Sequence, residues 1–495
     1  MIPTLITILI FVLIALLFLA AFVLIRTVTF SGKMKLEAAK TAEPEPVDEQ
    51  RAAEHLSRAL QVATISNLER TPAGYLPFVE FHQLLAEMFP RVHSQLQRER
   101  IADYSLLYCW PGSNPDLEPV LFAAHQDVVP VDPASLSAWL QLPFSGAVAD
   151  GSVWGRGALD IKNQLIALLE SVEILLERGY QPERTLYLGF GHDEETWGDG
   201  ALAIVNWLKE RGVRLSAVVD EGGSLMTGVL PGVEIPVALV GYGEKGYMTL
   251  RLSVDAAPGH SAMPPAQTAI GILARAIARL EAHPLPDYPR ALTPLFKAIG
   301  PAAPFSLQVA FANLWLLGGI VRKRLLANPK TAAAIRTTTA VTMIQGGIKD
   351  NILPNRAEAL VNFRLMPGDT IAGVCEHVRK AIRDERVTLE AVGESAREAP
   401  APSAVDTPVF ASLSAVVAET FGGVPTAPYL VLGATDARHY TAICDQVFRF
   451  SPVLVTSEEM ATVHGIGEHI PVEKLAGMVR FYNTLIPAWT GGSEA

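Results

Sequence analysis

The chain has 495 residues, too many for one simple core, so two or three structural units are expected. Its 49% hydrophobic content excludes a largely disordered protein, and a net charge of −11 with no long basic run in the body excludes nucleic acid as the natural partner. The three cysteines, Cys109, Cys375 and Cys444, are far apart and make neither a disulfide framework nor a zinc ribbon. Any metal site must therefore use His and carboxylates.

In chain order, residues 5–25 come first, apolar except for Thr7, with Arg26 the first charged side chain. A helix of about 20 such residues crosses a bilayer. A cleaved signal peptide carries a positive n-region and a shorter apolar stretch, and this segment has neither. Residues 1–28 are therefore read as a retained single-pass anchor that places the protein at a membrane. Arg26, Lys33, Lys35 and Lys40 follow, which the positive-inside rule would keep in the cytoplasm. Glu37, Glu43 and Glu45 are interspersed, and the side of the membrane stays open. Residues 29–48 read as a linker rich in Ala, Glu, Pro and Lys.

Residues 49–243 form the first part of an α/β unit. Residues 120–124, 186–190 and 215–219 are strand-like, and residues 161–178 and 201–209 are helical. Such alternation predicts a parallel sheet covered by helices. After Gly243, Met248, Leu250, Leu252 and Val254 alternate with Thr249, Arg251 and Ser253, and Ala359, Val361 and Phe363 do the same later. Period-two alternation predicts an antiparallel sheet with one solvated face, so residues 244–367 read as an inserted α+β domain. Residues 368–495 would return to the first unit.

Ligands in open α/β sheets gather at the carboxyl ends of strands. Three successive strand ends here carry His125–Gln126–Asp127, Asp193–Glu194–Glu195 and Asp220–Glu221–Gly222–Gly223. Between the first two, Gly155–Arg156–Gly157–Ala158–Leu159–Asp160 opens the long helix. His125, Asp160, Glu195 and Asp220 could thus converge. Bare carboxylates so close would raise each other's pKa, and a dication removes that problem. Imidazole with carboxylates suits zinc, and a bridging carboxylate is typical of two-metal sites. Asp127 can accept the second N–H of His125 and fix its tautomer.

Together these motifs resemble the di-zinc metallopeptidases that include aminoacylase, acetylornithine deacetylase, succinyl-diaminopimelate desuccinylase and carboxypeptidases G and S. The resemblance runs from about residue 48 to 489 and includes Val463–His464–Gly465–Ile466–Gly467–Glu468. It is nearest the carboxypeptidase S and N-fatty-acyl-amino-acid amidohydrolase branch. It implies two zinc ions per chain, one held by His125, Asp160 and Asp220, the other by Asp160, Glu195 and His464. Many relatives carry Glu at the Asp220 position, and Glu221 is adjacent; the Asp of the carboxypeptidase S branch selects Asp220. Glu194 would be the general base, with Asp127 orienting His125. The implied fold is a zinc-peptidase catalytic domain with a mixed sheet, an inserted lid or dimerisation domain, and one transmembrane helix before it. His260, in Gly259–His260–Ser261, would meet the substrate carbonyl oxygen, often from the partner of a homodimer. Asn351, Arg364 and Arg438 lie in segments implied to hold the substrate.

The expected function is zinc-dependent hydrolysis of an amide bond next to a free carboxylate, in a peptide or an N-acyl amino acid. The alternative is a membrane-tethered binding module without catalysis. His55, His82, His93, His283 and His377 lack carboxylate partners in the sequence pattern and receive no role, and His192, His439 and His469 read as supporting residues. Gly241–Tyr242–Gly243–Glu244–Lys245–Gly246 matches a dinucleotide fingerprint, but a strand pattern follows it and not a helix. An apolar stretch with Phe305, Leu307, Val309, Phe311 and Leu314–Leu317 precedes Arg322, Lys323 and Arg324. It reads as helix packing, a dimer contact, an acyl channel or a membrane contact.

Overall fold

The computed structural model describes residues 2–32, 46–67, 71–196, 198–393 and 396–493. The linker expected over residues 29–48 lies mostly outside these. The N-terminal helix, Ile2–Ser31, is apolar on all sides and exposed over nearly its whole length. Its segment Thr4–Ser31 is the one helix among the described residues long and apolar enough to cross a membrane unaided.

The first unit is built on a ten-stranded mixed sheet. At its centre Val120–His125 runs parallel to both Leu186–Gly191 and Ala217–Asp220, and Ala217–Asp220 runs parallel to Val447–Arg449. These strands are buried on both faces, which explains their continuous apolar sequence. The long helix Lys162–Glu177 and the C-terminal helix Val472–Thr490 pack together beneath the sheet, with Leu165, Leu168, Leu169, Val172, Val479 and Leu485 in one core. Each fully buried Leu or Val contributes about 1.5–3 kcal/mol.

The second unit is a four-stranded antiparallel sheet in the order Thr338–Gly346, Arg356–Leu365, Gly246–Asp255, Thr388–Ala391. Met248, Leu250, Leu252 and Val254 point inward against the helices Ala269–Ala282 and Ile371–Ile382. The expected boundary at residue 367 thus falls short. Helix Ile371–Ile382 and strand Thr388–Ala391 belong to this sheet, because an amphipathic helix has the same period over either kind of sheet. Residues 289–335 do not share that core. Leu292, Leu295, Phe296 and Ile299 pack with Val233, Val237 and Ala427 of the first unit.

Candidate metal centre

Register brings the strand-end motifs together. His125 pairs with Gly191, so residues 192–195 leave the sheet beside it, and Asp220 ends the strand on its other flank. His125 Nδ1 lies 2.9 Å from the Asp127 carbonyl and 3.2 Å from its carboxylate, so this nitrogen carries the hydrogen. Nε2 is thereby presented to Asp160 Oδ1 at 3.2 Å and Glu221 Oε1 at 3.3 Å. The other oxygen of Asp160 faces a second imidazole: His464 Nε2 lies 2.9 Å from Asp160 Oδ2 and 3.1 Å from Glu195 Oε1.

Two donor sets result, His125–Asp160–Glu221 and Asp160–Glu195–His464, sharing Asp160. The second matches the expected set. In the first, Glu221 stands where Asp220 was expected, and Asp220 lies next to it at the strand end. Successive side chains leave an extended backbone on opposite sides. Asp220 is the last strand residue and is 1% exposed with Oδ2 unpartnered, while Glu221 Oε1 lies 3.3 Å from His125 Nε2.

The donor chemistry fits zinc. Ligands at 2.0–2.2 Å around a tetrahedral ion stand roughly 3.3–3.6 Å apart, close to the spacing seen here. The charges also ask for a cation. Burial, then the charge of Asp160, pushes Glu221 up to about 7, and burial raises Asp220 to about 6. Hydrogen bonds to Asp160 and Glu195 push His464 up to about 10. Burial opposes protonation of His125, yet its bonds to Asp127, Asp160 and Glu221 raise it well above the usual imidazole range.

Two buried carboxylates hold the cluster in shape. Asp127 accepts the main-chain N–H of Glu194 at 3.2 Å and of Glu195 at 3.1 Å, and the Ser66 hydroxyl at 2.6 Å. Glu468 accepts the N–H of Leu159 at 2.8 Å and of Asp160 at 3.1 Å, and pairs with Arg156 at 2.6 Å. Arg156 in turn donates to the Gly465 carbonyl at 2.8 Å. Glu194 sits partly buried beside both sets without belonging to either. Burial first, and then the charge of Glu221, lifts its carboxyl well above the ordinary range.

The profile of peptidase family M20/M25/M40 matches residues 121–488. The chain belongs to this family. The M20 chain is 39% identical to the N-fatty-acyl-amino acid synthase/hydrolase PM20D1 of Xenopus tropicalis, over 96% of its own length and 93% of that protein's. It is 32% identical to carboxypeptidase S of Saccharomyces cerevisiae, over 85% and 81% of the two chains. Its fold is that of an M20 family metallo-carboxypeptidase from Sulfolobus solfataricus, with a TM-score of 0.64 at 18% identity over 89% of this chain and 99% of that one. This M20 chain is therefore a hydrolase of amide bonds from a metal-dependent family.

Other expected site residues of the M20 chain are brought together in two separate places. His260 lies on an exposed ribbon, Gly259–His260 paired with Ile352–Leu353, and Ser261 donates to the Asn351 carbonyl at 3.2 Å. No hydrogen bond or ion pair among the described residues joins His260 or Asn351 to the carboxylate cluster. Arg364 lies at the junction of the units, its guanidinium 4.8 Å from the Tyr247 ring centre. Arg397 stacks on the same ring at 5.6 Å. Burial, then the Arg438 charge, lowers the Arg397 pKa, and Glu194 acts on it in the opposite sense. Arg438 donates to the Thr435 carbonyl, and Thr435 is fixed by Glu244, itself paired with buried Arg449 at 2.8 Å. Arg364 and Arg397 thus share the Tyr247 ring, and Arg438 and Glu194 both act electrostatically on Arg397.

Sequence reasoning weighed Glu221 only as the neighbour of Asp220, and it missed Arg397, Ser66 and the buttress role of Glu468. Only Glu221 and Glu468 had a signal, as members of quoted motifs. His55, read as lacking a carboxylate, pairs with Glu170, and His82 bonds Gln126 at 2.8 Å. A pocket of about 370 Å³ opens beside Asp160 and Glu221, walled by Met226, Leu239, Tyr429, Val453, Val455 and Val463. The apolar stretch at residues 305–324 contributes nothing to it.

Proposed function

We propose that this chain hydrolyses N-acyl amino acids with apolar acyl groups, using two zinc ions per chain and Glu194 as general base, while anchored to a membrane by its N-terminal helix. The observation that carries the reading is the pair of His–carboxylate sets sharing Asp160, with an apolar pocket opening beside Asp160 and Glu221. His125, Asp160 and Glu221 would hold one ion and Asp160, Glu195 and His464 the other. When bound, the ions supply Lewis acidity and lower the pKa of water in the cleft.

The protein's own groups do the rest. Glu194, held by Asp127 through its main chain, takes the proton of the attacking water and returns it to the leaving amine. Its raised pKa suits both transfers. Arg397, Arg438 and Arg364 grip the free carboxylate, for which the planar guanidinium is matched. His260, exposed on its ribbon, stabilises the oxyanion from a second copy of the chain. The apolar pocket takes the acyl group. Similarity to N-fatty-acyl-amino acid synthase/hydrolase supports that choice, while similarity to carboxypeptidase S favours a peptide.

The test is kcat/KM of the zinc-loaded protein on dipeptides and on N-acyl amino acids from acetyl to oleoyl. Each buried methylene is worth about 0.8 kcal/mol, so activity should climb up to about fourfold per methylene until the pocket fills. A flat profile with good dipeptide turnover would make the protein a peptidase. Glu194→Gln should lower turnover about 10²–10⁴-fold with metal content unchanged. Near-normal turnover in that variant would assign the proton transfer to another group.

A further inference from the structure

Helices Phe305–Ala312 and Leu314–Ala327 form a pair bent by 116°. The second has no buried residue. Phe305, Trp315, Leu316 and Ile320 are 57%, 56%, 46% and 63% exposed, four large apolar side chains on one helix pair that water-soluble proteins normally cover.

This pair is latched to the N-terminal helix. Arg26 donates from Nε and Nη2 to the Ala312 carbonyl at 3.2 and 3.1 Å. Buried Asn313 donates to Thr27 Oγ1 at 3.2 Å. The Phe22 ring meets Trp315 edge-on, with centroids 5.9 Å apart. Arg26 is the first charge after the apolar run, so Phe22 lies one turn inside it. Any layer that receives the N-terminal helix meets Trp315 at its boundary, where Trp is favoured.

Charge identifies the layer. Between residues 289 and 336 stand Arg290, Lys297, Arg322, Lys323, Arg324, Lys330 and Arg336, with no acidic residue, in a chain of net charge −11. Arg322 is tied to Asp287 at 2.6 Å, and Lys323 and Arg324 are exposed. The same face of a second copy would repel this surface, whereas anionic phospholipid complements it.

We infer that the bent helix pair is a second membrane-contact element. Trp315, Leu316 and Ile320 enter the boundary between headgroups and acyl chains beside the anchor, and Lys323 and Arg324 meet lipid phosphates. The body is then held on the leaflet in one orientation by the bonds of Arg26 to Ala312 and of Asn313 to Thr27. This inference rests on the anchor reading above.

The test uses the full chain in vesicles of phosphatidylcholine and phosphatidylglycerol whose acyl chains are brominated. Of the seven tryptophans, only Trp315 lies within residues 1–36 or 289–336. The chain should float with the vesicles, its tryptophan emission should be partly quenched, and Trp315→Phe should abolish the quenching. Lys323→Glu with Arg324→Glu should reduce quenching in vesicles containing phosphatidylglycerol. Flotation without quenching at Trp315, as when a second copy covers the patch, would overturn the inference and leave the anchor standing. Failure to float would overturn the anchor reading and this inference with it.

Discussion

Along the end of the strand Ala217–Asp220, one step of the backbone separates a buried acid from a cleft-facing one. Glu221→Ala should therefore lose about one metal ion per chain, while Asp220→Asn retains both, by elemental analysis of purified protein. The opposite pattern would assign Asp220 as the ligand. Arg397 is a second residue-scale case. A hydrogen bond to a charged group is worth about 1.5–3 kcal/mol, so Arg397→Ala should raise KM about ten- to a hundredfold. Metal content should not change. A fall in kcat at constant KM would instead give Arg397 a role in the transition state alone.

At the scale of elements, the site is a meeting of loops, and Glu468 joins two of them. Its carboxylate binds the main chain before Asp160 and, through Arg156, the turn that carries His464. His464 has φ +58, a left-handed conformation that non-glycine residues adopt at a cost of about 1–3 kcal/mol. The Arg156–Glu468 pair, 3% and 0% exposed, holds that turn. Removing one partner of a buried pair costs about 3–5 kcal/mol. Glu468→Ala should lower the unfolding free energy by that amount in denaturant titrations and weaken metal binding at the His464 set. Unchanged stability would show that the loops are held elsewhere.

At the scale of the molecule, Glu194 stands partly buried on the first unit, while His260 and Asn351 stand exposed on a ribbon of the second unit. The proposed homodimer brings the ribbon of one copy to the cleft of the other. His260→Ala and Glu194→Gln should each be nearly inactive alone. Mixed dimers of the two should regain activity, since one cleft then combines an intact Glu194 with an intact His260. No recovery after subunit exchange, verified by mass spectrometry, would place His260 in its own chain's cleft or outside catalysis.

The sequence by itself determined the family and named four of the five side chains that converge in the two donor sets, because His125, Asp160, Glu195 and His464 each lie in a short motif tied to a strand end or a loop. It also determined the alternation of Met248 to Val254, since pleat and burial are both local properties. Only the tertiary structure set Glu221 3.3 Å from His125, because that contact turns on where the strand stops. It alone joined Arg156 to Glu468 across 312 residues and Ser66 to Asp127 across 61, and set Arg397 beside Arg364 on Tyr247. It also moved helix Ile371–Ile382 and strand Thr388–Ala391 into the second unit and placed residues 305–324 against the N-terminal helix. Such pairings depend on how distant surfaces fit, and a hydrophobic period names a buried face without naming what it is buried against.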